Sequence, residues 1–403
     1  MEIELHRMHQ ESGAERTGPH IVAVPNVSSV PEAVRELRAE RLLSLDAFRG
    51  ITIAAMILVN NPGSWSNVYA PLEHAAWNGW TPTDLIFPFF LFIVGVAIAF
   101  SLVPRRGRGD TWPQLLGKIT RRAVIIFALG IILNGFPRFD WSVLRIPGVL
   151  QRIAVCYFFA ALLALALSLR GQVVITIILL LGYWAVMLLV PANGHAAGGL
   201  GPSSNVAARI DAWLLHGHLL HSRWDPEGVL STLPAIATTL SGVLTGHWLR
   251  SPRSPLERVA GLFVAGNAGL LAGLIMDAWF PINKNLWSSS YVVFSSGMAL
   301  NVLAICYWLI DVKGYQRWAK PFVIYGTNPI VAYMLSSLMA KVMLLWPVHA
   351  AGEHVHLRRY VFDTFFLSWA SPINASLLYA VAYVVFWLGI MAILYRKRIF
   401  IKI

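Results

Sequence analysis

The chain alternates long apolar runs with short polar segments. Ten of these runs are long enough, at roughly 18 to 25 residues, to cross a bilayer as α-helices. They lie at about 45–61, 83–103, 117–136, 149–169, 172–191, 229–249, 257–276, 289–310, 320–345 and 373–395. Continuous runs argue against a membrane β-barrel, whose strands alternate apolar and polar positions over about 10 residues. One further apolar stretch, 360–371, is too short to span and is expected to lie at the interface or to re-enter the membrane.

Composition supports the same class of protein. Only 13% of the 403 residues are charged and 57% are hydrophobic, whereas a soluble domain carries about 25% charged residues. We therefore predict an all-α polytopic membrane protein with about ten transmembrane helices. Residues 1–40 are polar, lack the apolar segment of a cleavable signal peptide, and are predicted to form a disordered cytoplasmic tail. Residues 41–403 are predicted to form a single transmembrane domain.

The distribution of basic residues predicts the orientation. If residue 1 lies inside, the inner segments hold 22 of the 32 Lys and Arg, and the outer loops hold 7. Because cytoplasmic loops of membrane proteins are enriched in Lys and Arg, both termini are predicted to be cytoplasmic. Orientation then accounts for the formal charge of +12, and we expect no nucleic-acid partner. Cys156 and Cys306 lie in separate apolar runs and are expected to pack rather than to form a disulfide.

The segment between the first two runs carries the clearest candidate chemistry. It holds Glu73 and His74 among several aromatic side chains and contains no Lys or Arg. An imidazole titrates near neutrality, so His74 is able to take a proton from an amine or to carry a covalent group. Glu73 is a candidate for tuning His74, although side chains of adjacent helical residues would point apart. The simpler interpretation of His74 is a solvated loop histidine.

Polar residues also stand at the ends of the two flanking runs. Asn60 ends the first run, where its amide either supports a developing oxyanion or is simply the polar residue that a helix end requires. Asp84 follows a Thr-Pro-Thr sequence and fits a helix N-terminus, where a carboxylate caps free N–H groups. Contact with His74 or with a substrate is the alternative interpretation of Asp84.

Basic residues mark two further places. Lys118, Arg121 and Arg122 begin the third run at its inner end and are candidates for holding a polyanionic cytosolic ligand. Alternatively, these residues set the orientation of the protein in the membrane or contact anionic lipid. Arg152 opens the fourth run on the outer side, where it would pair with a carboxylate or a sugar oxygen, or snorkel. The outer-loop tryptophans are candidates for stacking on sugar rings or for the interfacial belt.

Two patterns predict helix packing. Asp46 and Arg49 are three residues apart, so they share a helix face and are expected to pair. The glycine pairs 242/246 and 269/273 have the GxxxG spacing that favours close contact between membrane helices.

The longest outer loop, 192–228, holds His195, His216, His218 and His221. The last three of these, His216-x-His218-x-x-His221, have the spacing of metal ligands. No cysteine and no HExxH helix accompanies them, so we predict no metal site. The sequence also contains no Walker motif, no dinucleotide fingerprint and no GxSxG.

Longer motifs follow one another from Arg41 onward. They are RLLSLDAFRG, VNNPG, EHAAWNGWTPTDLIFPFFLFIVG, RIPGVLQRIAV, WDPEGVLSTLPAI, INKNLWSSSYV and YGTNPIVAY. In these motifs the chain resembles the heparan-α-glucosaminide N-acetyltransferase family, whose bacterial members are called NagX-like. The block H-x-x-WNG-x-T-x-x-D-L-x-FP-x-F is long and specific. The opening RL-x-S-x-D-x-x-RG is less specific, because membrane O-acyltransferases of the acyltransferase-3 class share a version of it.

The resemblance implies an activity and a site. Family members move acetyl from cytosolic acetyl-CoA to the amine of a terminal glucosamine on the far side of the membrane. It implies that His74 is the catalytic histidine and Asn60 an essential asparagine, and we add Asp84 to them. We assign the CoA phosphates to Arg121, Arg122 and Lys118 from position and charge, and the acceptor sugar to Glu73, Trp77, Asn78 and Arg152. The expected partners are an amino sugar, membrane lipid and a second copy in a homodimer, without metal.

Lysosomal members begin with a luminal domain and an additional helix that this sequence does not show. We therefore expect a bacterial inner-membrane protein that acts on free glucosamine or short amino-sugar oligomers. The acetyl group would pass directly to the amine, or first to His74 as an acetyl-imidazole; the sequence leaves both routes open. The competing hypotheses are a sugar or amino-sugar permease, although no repeated halves are visible, and a family member that has lost acetyl-CoA binding.

Overall fold

The computed structural model describes residues 42–192, 194, 196–350 and 353–401. The predicted tail at 1–40 and the loop histidine His195 lie outside these described residues. The described chain is mostly helical, as the apolar runs predict.

Helices follow one another along the chain with one small hairpin near the end. In chain order they are α1 (Leu43–Asn60), α2 (Ile86–Ser101), α3 (Val103–Gly107), α4 (Trp112–Gly135), α5 (Val149–Ala166), α6 (Leu169–Leu189), α7 (Val206–Leu214), α8 (Thr232–Leu249), α9 (Pro255–Asp277), α10 (Ser289–Cys306), α11 (Lys320–Thr327), α12 (Pro329–Leu345), α13 (Leu357–Phe362) and α14 (Pro372–Arg396). Strands β1 (Pro347–Ala350) and β2 (Glu353–His356) pair antiparallel, with Pro347 opposite His356. Short π-helical segments extend α10 over Tyr307–Val312 and α13 over Asp363–Leu367.

Seven helical segments among the described residues are long and apolar enough to cross a membrane. They are α1, the segment that contains α2 and α3, α5, α6, α9, α10 with its extension, and α14. Helices α11 and α12 bend by 84° at their break and make an eighth candidate if they count as one span. Residue 328 alone separates them, and Pro329 lacks the N–H that would continue the hydrogen-bond ladder. The structure thus supports a multi-pass membrane protein with about seven to eight candidate spans.

The other two predicted runs, in α4 and α8, are helical but less apolar. Helix α4 carries Lys118, Arg121 and Arg122 along its first half. Helix α8 is rich in Thr, Ser and Gly, and most of its residues are buried against other helices. Since a helix enclosed by protein exposes little surface to lipid, it does not need a uniformly apolar sequence.

Small residues allow the helices to approach closely. A Cβ atom on Gly95 of α2 would lie 1.9 Å from the carbonyl oxygen of Thr239 in α8, and one on Gly242 of α8 would lie 2.0 Å from that of Phe92. Both glycines of the other GxxxG pair, 269 and 273, face α10, where a Cβ would lie 3.1 Å and 2.6 Å from the nearest atoms. The two sequence spacings therefore mark two close helix crossings.

The predicted pair at the start of α1 is present. Arg49 Nη1 donates to Asp46 Oδ1 at 3.0 Å and to the carbonyl oxygen of Gly326 at 3.1 Å. Because Gly326 belongs to α11, this pair ties α1 to a second helix rather than only bracing its own turn.

We predict that Gly95→Ala destabilises the fold, because the new methyl group would collide with backbone of α8 that has no freedom to move away. The expected cost is about 1–3 kcal/mol, measured as a lower melting temperature in detergent. The matched control is Gly389→Ala in α14, where nothing lies within 4 Å of the new Cβ. Equal melting temperatures for the two variants would contradict the close crossing of α2 and α8.

Candidate active site

Asp84 caps the helical turn that leads into α2. The turn Pro82–Leu85 begins after Thr81, whose backbone N–H donates to Asp84 Oδ2 at 3.0 Å. The Thr81 hydroxyl donates to the carbonyl oxygen of Glu73 at 2.6 Å and so draws the preceding loop against the same turn. The Thr-Pro-Thr-Asp sequence forms the N-terminal cap that its residues predict.

The same carboxylate holds His74. Asp84 Oδ1 lies 2.6 Å from His74 Nδ1, and the backbone N–H of Ala75 donates to Asp84 Oδ2 at 3.1 Å. The Asp84 side chain is only 2% exposed, so its charge depends on these donors in place of water. The Tyr291 hydroxyl donates to the backbone oxygen of Asp84 at 2.5 Å and so ties the turn to α10.

This contact sets the state of the imidazole. An ionised carboxylate only accepts hydrogen bonds, so Nδ1 carries the proton that points at Asp84. The lone pair of His74 then resides on Nε2. Half of the His74 side chain is exposed, so Nε2 is available to take a proton or to act as a nucleophile. A carboxylate that orients a histidine in this way is the arrangement found in many acyl-transfer sites.

Lys284 completes the cluster, and sequence analysis assigned it no role. Its Nζ lies 3.1 Å from His74 Nδ1, 3.3 Å from His74 Nε2 and 3.6 Å from Asp84 Oδ1. The signal in the sequence was a basic residue in the short segment between α9 and α10, within the motif INKNLWSSSYV. Since 210 positions separate Lys284 from His74, only the fold brings the two together.

Hydrogen bonds join the loop that carries Lys284 to the loop that carries His74. The fully buried Asn283 donates from Nδ2 to Asn78 Oδ1 at 3.0 Å and accepts from the backbone N–H of Leu286 at 2.9 Å. The Gly79 N–H donates to the carbonyl oxygen of Ile282 at 2.7 Å. Asn78 is therefore engaged in loop contacts close to the cluster.

Trp77 packs away from the cluster into the segment between α6 and α8. Its Nε1 donates to the carbonyl oxygen of Leu200 at 2.9 Å, and its ring meets the edge of Trp224 at a centroid distance of 5.1 Å. Trp224 in turn stacks on His221 at 4.2 Å. These contacts make an aromatic wall beside the His74 loop, on which a sugar ring could stack.

The structure separates other predicted site residues from the Asp84–His74 pair. Glu73 is exposed, and the carboxylate that contacts His74 is Asp84 rather than Glu73. Asn60 is exposed at the end of α1, and within the described residues no hydrogen bond joins its amide to the cluster. Its neighbour Asn61 is buried and bonds back to the carbonyl oxygen of Ile57 at 2.8 Å.

Arg152 lies in the interior rather than beside His74. It is 2% exposed, and its Nη2 donates to the carbonyl oxygen of Gly228 at 2.9 Å and to Ser231 Oγ at 2.5 Å. Its guanidinium lies 5.1 Å from the ring centroid of Trp287. Nε and Nη1 have no hydrogen-bond partner among the described residues. Arg152 thus braces the start of α8 against α5, and contact with an acceptor sugar stays a prediction.

The basic residues assigned to CoA phosphates lie near the start of α4. Arg121 is exposed, while the Arg122 guanidinium lies 4.8 Å from the ring centroid of Tyr157 in α5. Lys118 pairs with Asp110 at 2.7 Å. Arg122 Nε is buried without a partner in the described part of the chain, a donor that suits an additional anionic or carbonyl ligand.

An ion-pair network links the segment before α8 to the loop before α5. Arg145 contacts Asp225 through two hydrogen bonds, of 2.8 Å and 2.6 Å, and Glu227 through one of 2.5 Å. Burial by itself raises the pKa of the Asp225 carboxyl, but the hydrogen bonds and positive charge of Arg145, together with the backbone N–H groups of Glu227 and Leu220, lower it overall. The segment that passes between Trp224 and α8 is therefore held against the loop before α5.

Two of the four loop histidines, His218 and His221, contact neighbouring groups. His218 Nδ1 lies 2.8 Å from the carbonyl oxygen of Leu144, and His221 stacks on Trp224. Across the described residues, no group of three His, Cys, Asp or Glu is arranged to hold a metal ion.

Comparison with known proteins decides the family. The family model described as "Heparan-alpha-glucosaminide N-acetyltransferase, catalytic" matches residues 41–272, more than half of the chain. The chain belongs to this family. It is 32% identical to heparan-alpha-glucosaminide N-acetyltransferase of Homo sapiens over 422 aligned positions, which cover 90% of this chain and 60% of the human protein.

The mouse relative gives the same result. Heparan-alpha-glucosaminide N-acetyltransferase of Mus musculus is 30% identical over 427 positions, which cover 92% of this chain and 61% of that protein. The chain thus spans about 60% of the length of these two relatives. The matched region of the family model contains His74, Asp84 and Arg152, whereas Lys284 lies just beyond it.

We predict a pH-dependent contribution of Asp211, in α7, to the stability of the fold. This carboxylate is buried and accepts a hydrogen bond from the N–H of Val229 at 2.8 Å. Burial raises the pKa of Asp211 to about 6. Because the folded protein then binds the proton more tightly than the unfolded chain, this group stabilises the fold at low pH. That stabilisation is lost as pH rises from about 4 through 6.

Asp211→Asn, which does not ionise, should therefore raise the melting temperature at pH 7.5 and change it little at pH 4.5. The expected difference at pH 7.5 is on the order of 1–3 kcal/mol. The control is the exposed Asp140→Asn, since the side-chain hydrogen bond from Ser142 lowers the pKa of Asp140 and its loss acts in the opposite direction. A difference between Asp211→Asn and wild type that does not grow with pH would contradict the prediction.

Proposed function

We propose that this protein transfers an acetyl group from acetyl-CoA, bound from the cytoplasmic side, to the amine of a glucosamine-type sugar on the opposite side of the membrane. The observation that carries the proposal is the Asp84–His74 hydrogen bond, which leaves an exposed imidazole nitrogen free in a chain of this family. Both relatives are named N-acetyltransferases.

The topology behind the proposal has ten spans, both termini cytoplasmic and the His74 loop outside. Contacts between loops support it. The loops at 61–81, 137–148, 192–231 and 278–288, which the topology places outside, contact one another through the Asn78–Asn283, Trp77–Trp224 and Arg145–Asp225 pairs.

Segments that the topology places inside also meet. Asp311 accepts a hydrogen bond from the backbone N–H of Ser44 at 3.1 Å, and Arg250 Nη1 donates to the carbonyl oxygen of Ala99 at 3.0 Å. Together with the excess of Lys and Arg in these segments, this supports a cytoplasmic face at this end of the bundle. We place the protein in the bacterial inner membrane.

The acetyl transfer needs one base near the acceptor amine. In a direct transfer, the neutral amine attacks the thioester carbonyl carbon, its nitrogen–carbon bond forms, and the carbon–sulfur bond breaks. The proton leaves the amine for His74 Nε2 and passes on to the departing CoA thiolate. Asp84 holds Nδ1–H throughout and stabilises the imidazolium that forms between the two proton transfers.

The same nitrogen also suits a two-step route. His74 Nε2 would attack the thioester, release CoA and hold the acetyl group as an acetyl-imidazole until the amine displaces it. Accumulation of acetylated enzyme in the absence of acceptor would show that the protein uses this route. A free glucosamine or a short amino-sugar oligomer is the acceptor we propose, with Trp77 and the neighbouring aromatic wall beside its ring.

His74→Ala is predicted to lower the rate of acetyl transfer from acetyl-CoA to glucosamine by about 10²–10⁴-fold in detergent, because no other imidazole among the described residues contacts Asp84. Asp84→Asn should cause a similar loss, since an amide no longer selects the Nδ1–H tautomer. The matched control is His216→Ala, an exposed outer histidine without a hydrogen-bond partner among the described residues. A His74→Ala protein with wild-type turnover would contradict the assigned role.

We predict that Arg121 and Arg122 act on the donor and not on the acceptor. Arg121→Gln and Arg122→Gln should each raise KM for acetyl-CoA several-fold and leave KM for glucosamine unchanged, because each removes one cation near the CoA phosphates. The matched control is Arg253→Gln, another inner-side arginine that stacks on an aromatic ring, Trp248, at 4.2 Å. An equal rise for all three variants would indicate a general effect of surface charge.

A further inference from the structure

The position of Lys284 relative to the imidazole ring is unusual for a hydrogen-bonded lysine. Its Nζ is almost equally distant from the two ring nitrogens of His74, at 3.1 Å and 3.3 Å. An ammonium in the ring plane at those distances would collide with the ring carbons, so Nζ must lie over the ring face. Lys284 therefore leaves the in-plane lone pair of Nε2 unobstructed.

The backbone around Lys284 is held firmly. Its carbonyl oxygen accepts a hydrogen bond from the N–H of Trp287 at 3.1 Å, and Trp287 takes a left-handed conformation with φ of 53°. Asn283, the preceding residue, is fully buried and bonds to Asn78 in the His74 loop. The side chain thus starts from a fixed turn and ends on His74, which is what a residue that positions the ring requires.

The charges that face Lys284 come from several elements. Asp84 Oδ1 at the start of α2 lies 3.6 Å from Nζ. Glu227, in the segment before α8, also acts on it electrostatically, although Arg145 pairs with Glu227 at 2.5 Å. Burial lowers the pKa of the Lys284 ammonium, and the attraction of Asp84 and Glu227 opposes that effect. Tyr291 of α10 bonds to the backbone of Asp84 and adds no charge.

We propose that Lys284 is a positioning residue whose ammonium, placed over the ring of His74 and paired with Asp84, keeps the resting imidazole uncharged and its Nε2 lone pair available. A second positive charge on the ring would lie about 3 Å from the first, and the repulsion favours the neutral imidazole. Asp84 would otherwise favour the imidazolium, so Lys284 balances the carboxylate that orients the ring.

The effect of Lys284 on catalysis rests on the proposed acetyl transfer, whereas its effect on the protonation of His74 does not. Diethyl pyrocarbonate reacts with uncharged imidazole, so it reports the protonation of His74 without any turnover. The experiment follows the rate at which the full-length protein in detergent is modified on the peptide that contains His74, by mass spectrometry, from pH 5 to 8. The variants are Lys284→Met, Lys284→Gln and Lys284→Arg. Lys320→Met, an exposed lysine on the opposite side of the membrane in the proposed topology, is the control.

In Lys284→Met and Lys284→Gln we expect the midpoint of the pH–rate profile for His74 to move upward by about one pH unit or more. Lys284→Arg keeps the charge and should leave the midpoint near that of wild type, as should Lys320→Met. Two uncharged variants make the result independent of whether one of them folds poorly. A midpoint that stays in place or moves downward in the uncharged variants would overturn the proposal.

Acetyl transfer gives the second readout. The ratio of kcat/KM in Lys284→Met to that in wild type, in which ionisation of the acceptor amine cancels, should fall below pH 7 and recover above it. A purely structural role would lower the ratio equally at every pH and would overturn the proposal. If the protein transfers no acetyl at all, the proposed function fails, and the modification profile of His74 still decides the role of Lys284.

Discussion

The buried carboxylate of Asp84 is the constraint on which the arrangement of the His74 loop depends. A charge with 2% of its side chain exposed is stable only where donors replace water. The chain supplies them from the preceding turn and from the His74 loop, through the N–H groups of Thr81 and Ala75 and the imidazole of His74. The loop places these donors around the two carboxylate oxygens of Asp84. This contact also sets the orientation of the His74 ring.

Close packing of the helices that adjoin the His74 loop holds Asp84 and its donors in place. Helix α2, which starts at the Asp84 turn, crosses α8 so closely that Gly95 and Gly242 leave no room for a side chain. Helix α10 reaches Asp84 through Tyr291, and α5 meets the start of α8 through Arg152. Tyr291 and Arg152 thus donate to protein oxygens near helix ends, as polar side chains inside a membrane bundle commonly do.

The sequence predicts local features well. The apolar runs became helices, the Thr-Pro-Thr-Asp segment became a cap, and the spacing of Asp46 and Arg49 became an ion pair. Each of these depends on residues within a few positions of one another. The number of spans is less predictable, since α11 and α12 bend at Pro329 and the enclosed α8 needs less apolar surface than a lipid-facing helix.

Features that depend on distant parts of the chain were not predictable. The adjacent acid, Glu73, was the natural candidate for tuning His74, but ten positions separate His74 from the carboxylate that binds it, and 210 separate it from Lys284. No periodicity connects such positions, and only the packing of α2 against α10 brings them together. Asn60, assigned a role through family resemblance, is exposed at the end of α1, and no hydrogen bond among the described residues joins it to the cluster, so its role stays a prediction.

The central claim is that acetyl crosses from one side of the bilayer to the other at His74 while CoA stays behind. The most direct test reconstitutes the protein in sealed vesicles with acetyl-CoA inside and glucosamine outside, and measures external N-acetylglucosamine and internal free CoA thiol together. We expect both to appear in equal amounts with wild type and neither to appear with His74→Ala. Unmodified glucosamine that enters the vesicles, with no acetylated sugar outside, would contradict this claim and would identify a permease instead.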